Sequence, residues 1–282
     1  MITLGRYGAW LNPVYDDPSR VGYAVEAEAL GYGAVWLGLG QRDESDLRLV
    51  EQVLDATRHV VVATAIVNMW TNDPTALAKS CSRLEARHPG RFLLGIGLGH
   101  PETVTGYRSP YQCLESFLDA LDAEGHPRDR RVLAALGPRT LRLAADRAAG
   151  THPYLTVPGH TREARRLLGP GPVLAPEHTV VVDTDPAEAR RRGRVFVSDP
   201  YLRRSNYVNN LLRLGYDETD VAGDGSDGLI DDLVLHGTPE AIAAGLVGHF
   251  AAGADHVAIQ VLPGQGEGPM PVLRTLAGQL IS

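Results

Sequence analysis

Residues 59–67 read HVVVATAIV and residues 91–99 read RFLLGIGLG, two nearly unbroken apolar runs on either side of a segment with helical patterning. Continuous apolar runs, rather than apolar–polar alternation, are expected of parallel strands covered on both faces. Between them, Asp73-Pro74 sets an N-cap residue before a proline at the first helical position, and Leu77, Cys81 and Leu84 follow at i, i+4 and i+7. The unit is strand–helix–strand. The same alternation continues outward to both ends of the chain. Candidate strands are Thr3–Trp10, Ala34–Leu39, Val60–Asn68, Phe92–Gly97, Val132–Leu136, Tyr154–Val157, Thr179–Val182 and His256–Leu262. Asp185-Pro186 and Thr238-Pro239 repeat the capping signal. Leu114, Phe117, Leu118 and Leu121 form an apolar helical stripe, and Gly125, Gly150 and Gly253 are placed as helix C′ stops. Eight strands with intervening helices in 282 residues fit an α/β fold, a single (β/α)8 TIM-barrel domain over residues 1–282. An open doubly wound sheet is the alternative. A segment at about 195–235 breaks the rhythm between the seventh and eighth strands, with DPYLRRSNYVNNLLRLGY followed by the acidic DETDVAGDGSDG. It reads either as a cover over the active face or as a surface excursion.

Composition narrows the function classes. The formal charge of −7 argues against a nucleic-acid partner, which would need a basic face. No basic, apolar-cored leader opens the chain. The longest apolar run, Val60–Met69, is too short for a membrane span and is interrupted by Thr64 and Asn68, so a cytoplasmic location is expected. Cys81 and Cys113 form no close pair and are expected to be reduced. Lys79 is the only lysine and falls inside a helical segment, which removes Schiff-base lysine chemistry. No His-x-His pair ends the first strand, so no metal centre is expected.

In a barrel, chemistry sits at the C-terminal ends of the strands. The fourth strand ends in Gly95, Gly97, Gly99 and His100. Alternating glycines there allow close approach of a flat ligand, or simply tight barrel packing. His100 is the candidate proton-transfer residue, since an unperturbed imidazole titrates near pH ~6.5. After the fifth strand, Ala135, Leu136 and Gly137 lead into Pro138, Arg139 and Thr140 at a helix start. Free amides at a helix N-terminus favour an anion such as phosphate, while the alternative is an ordinary strand-to-helix turn. The third strand ends in Asn68 beside Trp70, as a pocket floor or as packing. His152 and Tyr154 flank the sixth strand and are secondary pocket candidates. His59 and His88 precede strands, on the stability face.

Taken in order, EALGYGAVWLG, VVVATAIVNMWTNDP, HPGRFLLGIGLGHP, AALGPRTLRLAADRAAGTHPYL and GPGPVLAPEH resemble the bacterial luciferase-like family. More narrowly, they resemble its actinobacterial branch of probable coenzyme F420-dependent oxidoreductases. The resemblance implies a TIM barrel, usually homodimeric, that binds FMN or the deazaflavin F420. It implies a non-proline cis peptide at Ala65–Ile66 supporting the cofactor ring, and a cofactor phosphate at the 135–138 turn. Gly97 and Gly99 would border the ring and substrate. There is a departure: some deazaflavin dehydrogenases carry a histidine after the second strand and a carboxylate after the fourth. Here the second strand ends Gly38–Leu39–Gly40–Gln41, and the fourth ends Gly99–His100 with Glu102 beyond. The acid–base roles of sugar-phosphate-oxidising relatives therefore do not transfer. The expected activity is hydride transfer between F420 and a small organic substrate. The alternatives are a two-component FMN monooxygenase and a non-catalytic cofactor-binding paralogue.

Overall fold

The structure is a computed structural model that describes residues 2–40, 43–98 and 109–281. Its strands are β1 (Tyr7–Leu11), β2 (Ala34–Leu37), β3 (Val61–Thr64), β4 (Val67–Asn68), β5 (Phe92–Gly97) and β6 (Arg131–Leu133). There follow β7 (Gly150–Thr151), β8 (Val173–Leu174), β9 (Glu177–Val182), β10 (Val234–Gly237) and β11 (Val257–Val261). The helices of the first half are α1 (Asp17–Ala29), α2 (Arg48–Ala56), α3 (Pro74–Arg87), α4 (Pro110–Ala123), α5 (Pro138–Arg147) and α6 (Pro158–Leu168). Those of the second half are α7 (Pro186–Ser198), α8 (Ser205–Arg213), α9 (Glu218–Val221), α10 (Asp227–Leu233), α11 (Pro239–Ala251) and α12 (Met270–Leu280).

Every ladder between these strands is parallel, and neighbours run β10-β9-β11-β1-β2-β3-β5-β6-β7-β8, with β4 continuing β3 along β5. The β8 end of that path returns to β9, because β8 and β9 are one segment interrupted only at Ala175-Pro176. Glu177 N–H donates to Pro153 O at 2.8 Å on one side, and Ala258 N–H donates to Pro176 O at 2.9 Å on the other. The ring is therefore closed, and β10 is an extra strand laid against the outer end of β9. Side chains alternate between two layers, as the two-residue strand repeat requires. Trp10, Trp36, Ala63, Leu93, Val132 and Ala258 fill the barrel interior. Leu11, Val35, Leu37, Val62, Leu94 and Ile96 pack outward against the helices.

The capping prolines behave as read: Asp73, Asp185 and Thr238 each accept a backbone N–H bond from the first turn of α3, α7 and α11. Gly125 and Gly253 follow their helices at positive φ. Two readings are corrected. Gly150 is not a helix stop but lies in β7, where an added Cβ would meet Val173 O at 1.9 Å. The sixth strand lies at Gly150–Thr151, not at Tyr154–Val157, and the chain beyond it turns through Leu155 at φ 52°. Short polar and glycine-flanked strands such as GT carry too little apolar signal to be seen by periodicity.

The interruption at 195–235 has a small core of its own, built by Val197, Leu202, Tyr207, Leu211, Leu229, Ile230 and Leu233 with Val181 and Val234. The acidic stretch is helical at both ends. Asp217 and Asp220 form a reciprocal cap on α9, and Ser226 caps α10. This core seats α8 across the C-terminal mouth of the barrel, where Asn206, Tyr207, Asn209 and Arg213 share a cavity with Gly97 and Gly137.

Candidate functional site

The cavity at the C-terminal mouth has a volume of about 530 Å³. One wall comes from β3. The pairing of β3 with β5 runs Val62↔Phe92 and Ala63↔Leu93, then resumes at Val67↔Ile96 and Asn68↔Gly97. Four residues on one strand thus span three on the other, which is a β-bulge of one residue. The bulge contains Ala65 and Ile66, joined by a cis peptide bond, and both line the cavity. The ladder bonds lost at the bulge are replaced by the Thr64 hydroxyl, which accepts from Gly95 N–H at 2.8 Å and donates to Gly95 O at 2.9 Å. A Cβ on Gly95 would stand 1.9 Å from Thr64 O, and one on Gly97 would stand 2.6 Å from the Ile66 side chain. The glycines of the fourth strand therefore make room first for the neighbouring bulge, and Gly97 borders the cavity as well.

The opposite wall is the β6–α5 turn. Ala135, Leu136, Gly137 and Thr140 line the cavity. Gly137 is the N-cap of α5 and provides no side-chain cap, so the first amides of the helix have no intrahelical acceptor. Arg213 of α8 reaches this turn and donates to Leu136 O at 2.8 Å. His160 Nε2 donates to the same carbonyl at 2.9 Å. Among the described lining residues, Arg213 is the only charged side chain. Arg213, which also pairs with Glu163 at 3.5 Å, lies in this corner of the cavity beside the partial positive charge of the helix end.

Aromatic and polar side chains complete the site. His152 is buried, and its Nδ1 lies 2.7 Å from Ala175 O. Its ring stacks on Trp36 at 3.9 Å between centroids and 10° between planes. Trp36 Nε1 donates at 2.9 Å to His256 Nε2, so His256 bonds Gly5 O through a protonated Nδ1. Burial, with the neighbouring His256 adding to it, pushes the His152 pKa down to about 3, so the ring is neutral. Tyr201 donates to the Tyr154 hydroxyl at 3.1 Å, and Tyr154 donates to Gln260 Oε1 at 2.8 Å. Burial raises the phenol pKa of both, Tyr201 to about 12, so the hydroxyls keep their protons. Glu177 accepts from Leu155 N–H at 2.8 Å and from the Thr179 hydroxyl at 2.6 Å, and holds the turn that carries His152 and Tyr154. Burial raises its pKa to about 7.

Of the residues singled out from sequence, Ala65, Ile66, Gly97, Ala135, Leu136, Gly137 and Thr140 come together around one cavity, and His152 and Tyr154 join them. Three do not. The Asn68 side chain accepts from Trp70 N–H at 2.9 Å and orders the turn after β4. Pro138 is the first residue of α5, and the Arg139 guanidinium sits over the Tyr111 ring at 3.6 Å. Trp70 is packing: its Nε1 donates to Leu98 O at 2.5 Å. Gly99, His100 and Glu102 lie outside the described residues. Trp10, Asn12, Tyr201, Asn206, Tyr207, Asn209 and Arg213 were not singled out. The interruption of the strand–helix rhythm was the one signal that pointed to the last five.

The described residues contain no group of three or more His, Cys, Asp or Glu able to hold a metal ion. No described helix is long and apolar enough to cross a membrane. Residues 16–123 match the family model of luciferase-like monooxygenases. No curated protein matches the chain in sequence. Among solved structures, the chain is similar to an F420-dependent secondary alcohol dehydrogenase with an F420-acetone adduct, at 15% identity and a TM-score of 0.75, over 99% of this chain and 98% of the other. It is similar to the coenzyme F420-dependent tetrahydromethanopterin reductase of Methanopyrus kandleri at 14% identity and a TM-score of 0.72, over 98% of both chains. It is also similar to the oxygenating constituent of 3,6-diketocamphane monooxygenase of Pseudomonas putida in complex with FMN. That match has 16% identity and a TM-score of 0.69, over 98% of this chain and 96% of the other. Residues 16–123 thus match the luciferase-like monooxygenase family model, and the likeness to these solved structures shows the same barrel fold along nearly the whole chain.

Proposed function

We propose that this protein is an oxidoreductase that transfers a hydride between the deazaflavin coenzyme F420 and a small, uncharged organic substrate. The observation that carries the reading is that a bulged strand end, an uncapped helix N-terminus with Arg213, and a group of aromatic side chains share one cavity. The residues present fit a flavin-like group. Trp10 Nε1 and His152 Nε2 are buried polar atoms with no partner among the described residues, and both side chains line the cavity. An added Cβ at Gly137 would meet nothing within 4 Å, which leaves the helix end open to an anion.

Ala65, Ile66 and Gly97 would support the ring, and Gly137, Thr140 and Arg213 would hold the phosphate. When bound, the cofactor supplies the hydride chemistry. The protein's part is to position the substrate, exclude water and manage one proton. Trp10, Tyr154, Tyr201 and Tyr207 form the apolar walls. The Tyr201 and Tyr154 hydroxyls keep a protonated chain that ends on Gln260. His100, three residues beyond β5 in the sequence, stays in the proposal as the proton-transfer residue.

Fluorescence titration of the purified protein with F420 and with FMN, at one salt and pH, tests the cofactor. Tighter binding of F420 is expected. Tighter binding of FMN, with oxygen consumed when reduced FMN is supplied, would replace this reading by a monooxygenase. The phosphate position has its own test. Gly137→Asp puts a carboxylate at a helix N-terminus in open space, so the fold should be retained while a bound phosphate is repelled. Cofactor affinity should fall at least tenfold, about 1.4 kcal/mol. A folded variant with unchanged affinity would place the phosphate elsewhere.

A further inference from the structure

We propose that His152 Nε2 and Trp10 Nε1 form an acceptor–donor pair in the cavity that binds an uncharged O–H or N–H group of the ligand. The inference rests on the cofactor reading for the identity of one of its two ligand sources, and on the protein's own hydrogen bonds for the rest.

The tautomer of His152 follows from its partners. A backbone carbonyl can only accept, so Nδ1, 2.7 Å from Ala175 O, carries the proton. A neutral imidazole then has a lone pair at Nε2. That atom is buried and has no partner among the described residues. Turning the ring over would put Cδ2 in place of Nδ1 opposite Ala175 O and lose that hydrogen bond, while the stack on Trp36 fixes the plane of the ring. Trp36 is itself fixed by its bond to His256, which Gly5 O fixes in turn. The acceptor is therefore held in place by a chain of three rings. Trp10 supplies the complement, since its indole N–H is an obligate donor and is likewise buried and unpartnered. Its ring packs against Tyr154 at 5.3 Å.

Unpaired polar atoms in a buried site are costly unless something pairs them. A site built to pair a hydroxyl or N–H group discriminates strongly against analogues that lack it. Two ligand groups satisfy both atoms. A substrate hydroxyl donates to His152 and accepts from Trp10. The imide edge of a flavin-type ring donates through its N–H and accepts at an adjacent carbonyl. A carboxylate or phosphate does not, because it brings no proton to His152. This sets the class of group the pair binds: a neutral hydrogen-bond donor that is also an acceptor.

The test compares ligands that differ only in the donated hydrogen. Binding of cyclohexanol and methoxycyclohexane to the cofactor-loaded protein reads the substrate source. Binding of FMN and its N3-methyl derivative to the protein alone reads the ring source. In at least one pair, the wild type should prefer the donor by tenfold or more. In His152→Phe, which keeps an aromatic ring over Trp36, that preference should fall to near unity. His152→Gln, which retains an acceptor, should recover part of it. A merely structural role for His152 would weaken both members of a pair equally and leave the ratio unchanged. The pair that responds identifies the source. Absence of discrimination by the wild type in both pairs overturns the proposal even if no variant folds. So does an unchanged ratio in folded His152→Phe. Failure to bind either F420 or FMN would overturn the cofactor reading separately. The alcohol–ether comparison on the protein alone would then still test the acceptor–donor pair.

Discussion

Gly95→Ala is expected to lose the native barrel or to fold with a melting temperature lower by about 6 °C or more. The new Cβ would lie 1.9 Å from Thr64 O, a backbone atom in the centre of the sheet that no side-chain rotation can relieve. Overpacking of this kind costs roughly 3 kcal/mol, and in a chain of this size each kcal/mol moves the transition by about 2–4 °C. The strain falls on the bulge that presents Ala65 and Ile66, so any folded fraction should also bind cofactor poorly. Gly137→Ala is the control, because its Cβ meets nothing within 4 Å and its stability should be unchanged. Thermal unfolding of both variants beside the wild type decides the matter. A Gly95→Ala protein that melts with the wild type would show that the bulge moves freely.

Glu177→Gln is expected to stabilise the protein at pH 8. Burial holds the Glu177 pKa at about 7, above its ordinary 4.5. Between those values the folded chain keeps a proton that the unfolded chain has released. Stability therefore falls as pH rises through this window and levels off above about 7. Two and a half pH units at about 1.36 kcal/mol each give about 3 kcal/mol. The glutamine still offers an oxygen to Leu155 N–H and has no charge to lose. The variant should melt higher than the wild type at pH 8 by about 5 °C or more, with the gap shrinking toward pH 5, where both proteins are neutral at this position. Equal melting temperatures at pH 8 would mean that Glu177 is ionised at little cost in the fold. A gap that widened toward acid would reverse the sign of the argument.

The strand–helix rhythm was legible because each long parallel strand is buried on both faces and must be apolar throughout. HVVVATAIV, RFLLGIGLG and the Asp-Pro and Thr-Pro caps report local requirements that any fold would impose on them. The short strand Gly150–Thr151 escaped, since its place is set by its partners in β6 and β8 and not by its own apolar character. The site divides in the same way. The Gly137-Pro138 turn announced a helix N-terminus, because those residues satisfy a local backbone condition. The roles of Gly95 and Gly97 depend on Thr64 and Ile66 on another strand, so no inspection of the fourth strand alone separates ligand approach from packing against a bulge. Arg139 was a natural anion ligand by position, yet its side chain stacks on Tyr111, and Arg213, 76 residues beyond Gly137, takes the corner instead. His152 shows the division most clearly. Sequence alone set His152 beside the sixth strand, but ahead of it, and the structure moves that strand to Gly150–Thr151 so that the histidine follows it. Only the tertiary structure decided that it is neutral and which nitrogen is left as an acceptor, because Ala175 O at the break between β8 and β9, Trp36 on β2 and His256 just before β11 are brought together by the closed barrel.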